Sequence, residues 1–125
     1  MHPQPRIVSR NLDAARRFYS VTARPLGLAI IEVGEDGFAL GRPSDMEHPL
    51  LNVTAAAWDG EAGSGHVALD APDDFSVRAF FRAALEAGGQ RAEYPAPQPT
   101  EGCYSYYAAK VIDPDGNCIE CGWRH

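Results

Sequence analysis

Side chains able to do chemistry are densest near the C-terminal end. They lie in Tyr104-Ser105-Tyr106-Tyr107-Ala108-Ala109-Lys110 and in Asp113-Pro114-Asp115-Gly116-Asn117-Cys118-Ile119-Glu120-Cys121. Alternation along a strand puts Tyr106, Ala108 and Lys110 on one face. A lysine pointing inward there attracts an anionic ligand or serves as a base, whereas one at a strand edge reaches solvent. Cys118 and Cys121 match C-x-x-C in spelling. On a strand they point to opposite faces, which argues against a zinc knuckle or a redox pair. Cys118 shares its parity with Glu120, so the two face the same way. Trp58, Trp123 and the tyrosines at 104–107 supply rings for a core or for an aromatic pocket. Asp113 to Asn117 reads as a tight turn. Pro114 presets φ, both aspartates can bond nearby backbone, and Gly116 or Asn117 can take positive φ. His48 reads as a loop histidine.

The rest of the chain must position these groups. It has 125 residues, 45% hydrophobic and 22% charged, which are ordinary values for one globular domain. Its 11 basic and 17 acidic residues leave a net charge of -6, which disfavours a nucleic-acid partner. The basic cluster of Arg10, Arg16, Arg17 and Arg24 reads as a solvated helix face. No run is long and apolar enough for a membrane span, and the first residues lack a signal-peptide core. Three cysteines make no disulfide framework. These features lead us to expect a soluble, cytoplasmic protein.

Two helices are predicted. One is capped by Asn11, runs to about Ala23, and carries Leu12, Ala15, Phe18, Tyr19 and Thr22 at helical spacing. The other starts near Asp73-Asp74, carries Phe75, Val77, Phe80, Phe81, Ala84 and Leu85, and ends at Gly88-Gly89. Strands are predicted over 4–9, 28–34, 38–42, 49–54, 65–69, 90–94, 105–112 and 117–123. One offset, 62 positions, carries Phe18-Tyr19 onto Phe80-Phe81, Gly27 onto Gly89 and Gln4 onto His66. A constant offset indicates a duplicated unit. The expectation is a single α+β domain of two βαβββ modules, about 1–60 and 61–125. The modules form a pseudo-twofold curved sheet or barrel with a central cleft and helices outside. A cleft between duplicated halves is a natural ligand site.

Several segments resemble the vicinal oxygen chelate superfamily of glyoxalases, bleomycin-resistance proteins, fosfomycin-resistance enzymes and extradiol dioxygenases. Asn11-Leu12-Asp13-Ala14-Ala15-Arg16-Arg17-Phe18-Tyr19 with Pro25-Leu26-Gly27-Leu28 resembles the first half. Gly65-His66-Val67-Ala68-Leu69 resembles the opening of the second, and Asp113 to Glu120 its closing hairpin. The resemblance implies four metal-ligand positions, which fall on Gln4, Asn52, His66 and Glu120. His66 and Glu120 are good ligands for Zn, Ni, Mn or Fe, while Gln4 and Asn52 are weaker carbonyl donors. It further implies a lyase or dioxygenase-type enzyme acting on a small oxygenated molecule, with Glu120 as a catalytic candidate; Lys110, where related sequences often carry an aromatic, departs from the pattern and is a catalytic candidate through its own chemistry. Tyr106, Ala108, Lys110, Cys118 and Trp58 would contact the ligand. The alternative it carries is a metal-free binding protein that sequesters a small molecule. A homodimer is expected on the same ground.

Overall fold

The computed structural model describes residues 5–125, so the expected ligand Gln4 lies outside the described residues. Strand β1 (Arg6–Ser9) leads into helix α1 (Leu12–Thr22), followed by β2 (Ala29–Gly34), β3 (Gly37–Gly41) and β4 (Leu51–Ala55). The second module repeats the order as β5 (His66–Asp70), α2 (Asp74–Glu86), β6 (Gln90–Gln98), β7 (Tyr106–Ile112) and β8 (Cys118–Arg124). Each helix begins where a side-chain oxygen satisfies a backbone N–H that the first turn leaves unpaired. Asn11 accepts from the Ala14 amide, and Asp73 from the Ser76 amide. The glycines that end the helices in left-handed backbone are Gly27 (φ 73°) and Gly88 (φ 100°). The repeat therefore slips by one residue here, since the sequence offset pairs Gly27 with Gly89. A short 3-10 turn at Arg24–Leu26 takes up the difference in module one.

The strands form two four-stranded sheets, ordered β1-β4-β3-β2 and β5-β8-β7-β6. In each, the outer pair β1/β4 or β5/β8 is parallel and the rest is antiparallel. This is the predicted α+β pseudo-twofold arrangement, built as two unclosed sheets.

The register makes the symmetry exact at one row. Arg6 pairs with Asn52 in module one, and Ala68 with Glu120 in module two. Positions 6 and 68 stand at the same offset as the sequence landmarks, so Asn52 and Glu120 are equivalent. Continuing across, Asn52 pairs with Ala39 and Ala39 with Ile31. Glu120 pairs with Lys110 and Lys110 with Glu93. One row is thus largely apolar beyond Asn52, and its counterpart alternates in charge.

Both helices cover the same side of their sheets and share one core. Phe18, Tyr19, Phe38, Leu51, Val53, Val77, Phe80, Val111 and Ile119 are fully buried in it. Of the apolar helix positions read from the sequence, Phe75 and Leu85 lie on the solvent side instead. They sit just beyond the buried stripe of Val77, Phe80, Phe81 and Ala84. On the other side His66, Ala68 and Asp70 of β5 are exposed, whereas the small residues Ala39 of β3 and Ala108 of β7 are buried there.

The tight turn at Asp113–Asn117 ties the modules together. Asp113 Oδ1 accepts from the backbone amides of Asp115 and Asn117. Its Oδ2 accepts from the Tyr19 hydroxyl of α1 at 2.7 Å and from Asn117 Nδ2. The Arg10 amide donates to Asp115, Asn117 Nδ2 donates to the Val8 carbonyl, and the Gly65 amide donates to Asn117 Oδ1. Burial and the neighbouring Asp113 carboxylate push the Tyr19 hydroxyl well above its ordinary range. Among the described residues, no helix is long and apolar enough to cross a membrane.

Candidate functional site

The open face of the second sheet gathers the chemistry. Strand alternation puts His66 and Ala68 of β5, Cys118 and Glu120 of β8, and Tyr106, Ala108 and Lys110 of β7 on one side. The register agrees, with His66 opposite Cys118, Ala68 opposite Glu120 and Lys110 opposite Glu120. Ile119 and Cys121, of opposite parity, are buried in the core. The C-x-x-C pair is therefore split between two faces, as its strand placement requires.

Glu120 is the hub of this face. Its Oε2 accepts from the Tyr106 hydroxyl at 2.6 Å. Its Oε1 lies 3.7 Å from Lys110 Nζ, and Glu93 Oε1 lies 3.5 Å from the same ammonium on the other side. The Lys110 and Glu120 side chains are 31% and 20% exposed, so the pair is partly desolvated but not sealed. Both ion-pair distances exceed the 2.7–3.2 Å of a good N–H···O bond. The ammonium is held by charge, midway between two carboxylates.

Tyr106 reaches Glu120 by lying over Gly122. A Cβ at that glycine would collide with the Tyr106 ring and hydroxyl. Burial, then the hydrogen bond and charge of Glu120, raise the Tyr106 pKa, while the Arg124 guanidinium opposes them. That guanidinium sits 5.0 Å from the Tyr104 ring centre and 5.7 Å from that of Tyr106. Burial also raises the Cys118 thiol, with Lys110 pulling the other way and Glu120 adding to the rise. Cys118 is therefore a protonated, poorly nucleophilic thiol at neutral pH.

The remaining expected site residues are dispersed. Asn52 lies half-buried in the equivalent row of the first sheet, beside a cavity of about 310 Å³ that Thr54, Glu35 and Asp36 also line. Trp58 is 65% exposed in the link between the modules, where its ring covers Gly60 instead of the polar row. His48 is an exposed loop residue paired with Asp45 at 2.8 Å. Among the described residues, no three His, Cys, Asp or Glu side chains come close enough to hold a metal ion. Glu120 is already engaged by a hydroxyl and an ammonium, and a second cation at Lys110 would meet like charge. The described donor set does not fit a tightly bound divalent ion.

Sequence reasoning missed Glu93, Gly122 and Arg124. The signal for Glu93 was blurred. Strand β6 runs four residues beyond its predicted end and carries register shifts around Glu93, so simple alternation does not reveal its facing. Gly122 and Arg124 continue the parity of Glu120 and could have been read from it.

A second cavity, of about 390 Å³, opens where β6, β7 and β8 meet α2. Tyr104, Tyr107, Trp123 and His125 are among its lining residues, and the Trp123 and His125 rings stack 3.7 Å apart. Of the rings that the sequence left open between a core and a pocket, Tyr104, Tyr106, Tyr107 and Trp123 line this cavity and Trp58 does not.

No protein-family profile matches the chain, and no curated protein matches it. Solved structures do. A glyoxalase/bleomycin resistance protein from Albidiferax ferrireducens superposes with a TM-score of 0.81 at 20% identity, covering 98% of each chain. A glyoxalase/bleomycin resistance protein/dioxygenase family enzyme from Burkholderia phytofirmans gives 0.66 at 20% identity, covering 94% of each. A bleomycin-binding protein in complex with bleomycin gives 0.58 at 22% identity, covering 100% of this chain and 99% of that one. With two βαβββ modules arranged as in these structures, the chain has the glyoxalase/bleomycin resistance protein/dioxygenase fold.

Proposed function

We propose that this chain binds a small oxygenated molecule on the open face of its second sheet and does so without a resident metal. The observation that carries the reading is the state of Glu120. Its carboxylate already accepts from Tyr106 and faces Lys110, so the polar groups of the face are preorganised with one another. Such a set offers an ammonium donor and carboxylate acceptors side by side, which suits a ligand bearing hydroxyl or carbonyl groups. The bleomycin-binding protein of the same fold is consistent with a sequestering role. Homodimerisation belongs to the same proposal and is checked by sedimentation.

The test is calorimetric titration of the purified chain with bleomycin and a panel of small hydroxylated and carbonyl compounds. The expected result is saturable binding that Lys110→Ala and Glu120→Gln each weaken at least tenfold, about 1.4 kcal/mol. A metal-dependent lyase or dioxygenase is the second reading. It is favoured by His66 and Glu120 sharing the open face on neighbouring rows. Elemental analysis showing stoichiometric Zn, Ni, Mn or Fe, together with turnover lost in His66→Ala, would replace the binding role with that enzyme.

A further inference from the structure

The cavity where β6, β7 and β8 meet α2 shares Tyr106 with the polar row of the open face but none of its charged groups. Its rings gather at one end of the second sheet. Tyr107 and Trp123 are paired directly across β7 and β8, so both project to the same side, and both are half-buried. The Trp123 and His125 rings lie parallel, 3.7 Å between centres and 10° apart in plane. The backbone holds that stack in place. The His125 amide donates to the Ser105 carbonyl at 2.9 Å, and the Ser105 amide donates to the His125 carbonyl at 2.7 Å. Tyr104 adds a further ring from the connection between β6 and β7, where the Thr100 hydroxyl donates to its carbonyl. Charge in this place is already matched. Asp74 contributes the side-chain carboxylate of the lining, and it accepts from Arg78 at 2.8 Å. The Arg78 guanidinium lies 6.0 Å from the Tyr107 ring centre, and that of Arg124 lies 5.0 Å from the Tyr104 ring centre.

We propose that this cavity is a second binding site, and that it takes an uncharged, planar, fused-ring aromatic molecule. Its volume of about 390 Å³ is that of a small-molecule pocket. A flat ring entering it makes offset or edge contacts with Trp123, Tyr107 and Tyr104 together, which a saturated ring of the same size does not reproduce. His125 shows that a face of Trp123 accepts a parallel ring. The charge balance selects a neutral ligand. A cation would compete with Arg78 for Asp74, and the tyrosine faces already carry the chain's own guanidiniums. An anion would face the Asp74 carboxylate. Ser105 and Gln98 offer polar groups to a hydroxyl or carbonyl on the ring edge. This site is independent of the binding reading for the open face, and either stands if the other fails.

The experiment follows Trp123 emission in the full chain carrying Trp58→Phe, which leaves Trp123 as the single tryptophan. The probe is 2-naphthamide, with binding also measured by calorimetry. Its comparison compounds are the anion 2-naphthoate, the cation 2-naphthylmethylammonium and the saturated decalin-2-carboxamide. Saturable quenching by 2-naphthamide is expected, with each comparison compound bound at least tenfold more weakly. Tyr104→Ala should weaken 2-naphthamide at least tenfold. Tyr104 is an exposed residue outside the core, so its removal leaves the fold intact. Trp123→Leu should do the same by calorimetry, with the circular dichroism spectrum reporting its fold. Absence of saturable quenching, or an affinity unchanged in Tyr104→Ala, would overturn the site. Decalin-2-carboxamide binding as tightly would overturn stacking as its basis, and a charged naphthalene binding more tightly would overturn the neutral ligand.

Discussion

The Tyr106 hydroxyl donates to Glu120 Oε2 at 2.6 Å across the lane that Gly122 leaves clear on the intervening position of β8. The contact joins β7 to β8 diagonally and fixes the carboxylate that faces Lys110. Gly122→Ala should therefore evict the tyrosine. The expected cost is about 1–3 kcal/mol, typical of inserting a methyl into filled space. In a Tyr106→Ala background the same substitution should cost almost nothing. Urea denaturation of the four proteins closes the cycle, and equal costs in both backgrounds would show that the tyrosine does not occupy that space.

Alkaline titration should single out two tyrosines. Burial is the largest cause of the raised pKa at both Tyr19 and Tyr106, followed by a neighbouring carboxylate. A pKa raised on folding means the folded state holds its proton more tightly than the unfolded chain. The associated stability is fully present below the unfolded value near 10 and is lost as pH rises above it. Tyr19→Phe and Tyr106→Phe should each flatten the fall in stability on the alkaline side. The measurement is urea stability between pH 8 and 11, with tyrosinate absorbance followed alongside. A Tyr106→Phe protein whose stability falls as steeply as wild type would contradict the assignment.

The turn at Asp113 should matter more than a tight turn usually does, because Asp113 is only 4% exposed. Four donors converge on its carboxylate, including the Tyr19 hydroxyl from the other module. Asp113→Ala should cost about 3 kcal/mol or more, because several of these donors are buried and would be left unpaired. Tyr19→Phe removes a single donor and should cost about 1–2 kcal/mol. Once Asp113 is gone, the second change should add little. Additive losses would mean the two residues act independently.

Two phenylalanines of α2 give opposite expectations from similar sequence. Phe80 is 1% exposed and Phe75 is 69% exposed. Phe80→Ala should cost about 3–5 kcal/mol, whereas Phe75→Ala should stay within about 0.5 kcal/mol. Comparable losses at both would show that the Phe75 face is covered in solution, as a homodimer would cover it. Sedimentation of Phe75→Ala would then report the loss of that contact.

Much of this molecule is legible in its residues. The Asn11 and Asp73 caps, the paired aromatics of the helices and the turn at Asp113 act through near neighbours, so their spacing is enough to place them. Parity along β7 and β8 likewise placed Tyr106, Ala108 and Lys110 on one face and Cys118 with Glu120. The duplication told which positions are equivalent, and the ladder of Arg6 with Asn52 and Ala68 with Glu120 bears this out. What spacing could not supply was the partner across a strand. Whether Lys110 meets solvent, an anion or a carboxylate depends on the β6–β7 register, and β6 carries irregularities on both sides of Glu93. One shifted residue there reverses which side chain faces the ammonium. The local elements were thus set by sequence. The charge at the centre of the site was set only when three strands came together, because that charge is a sum over residues far apart in the chain.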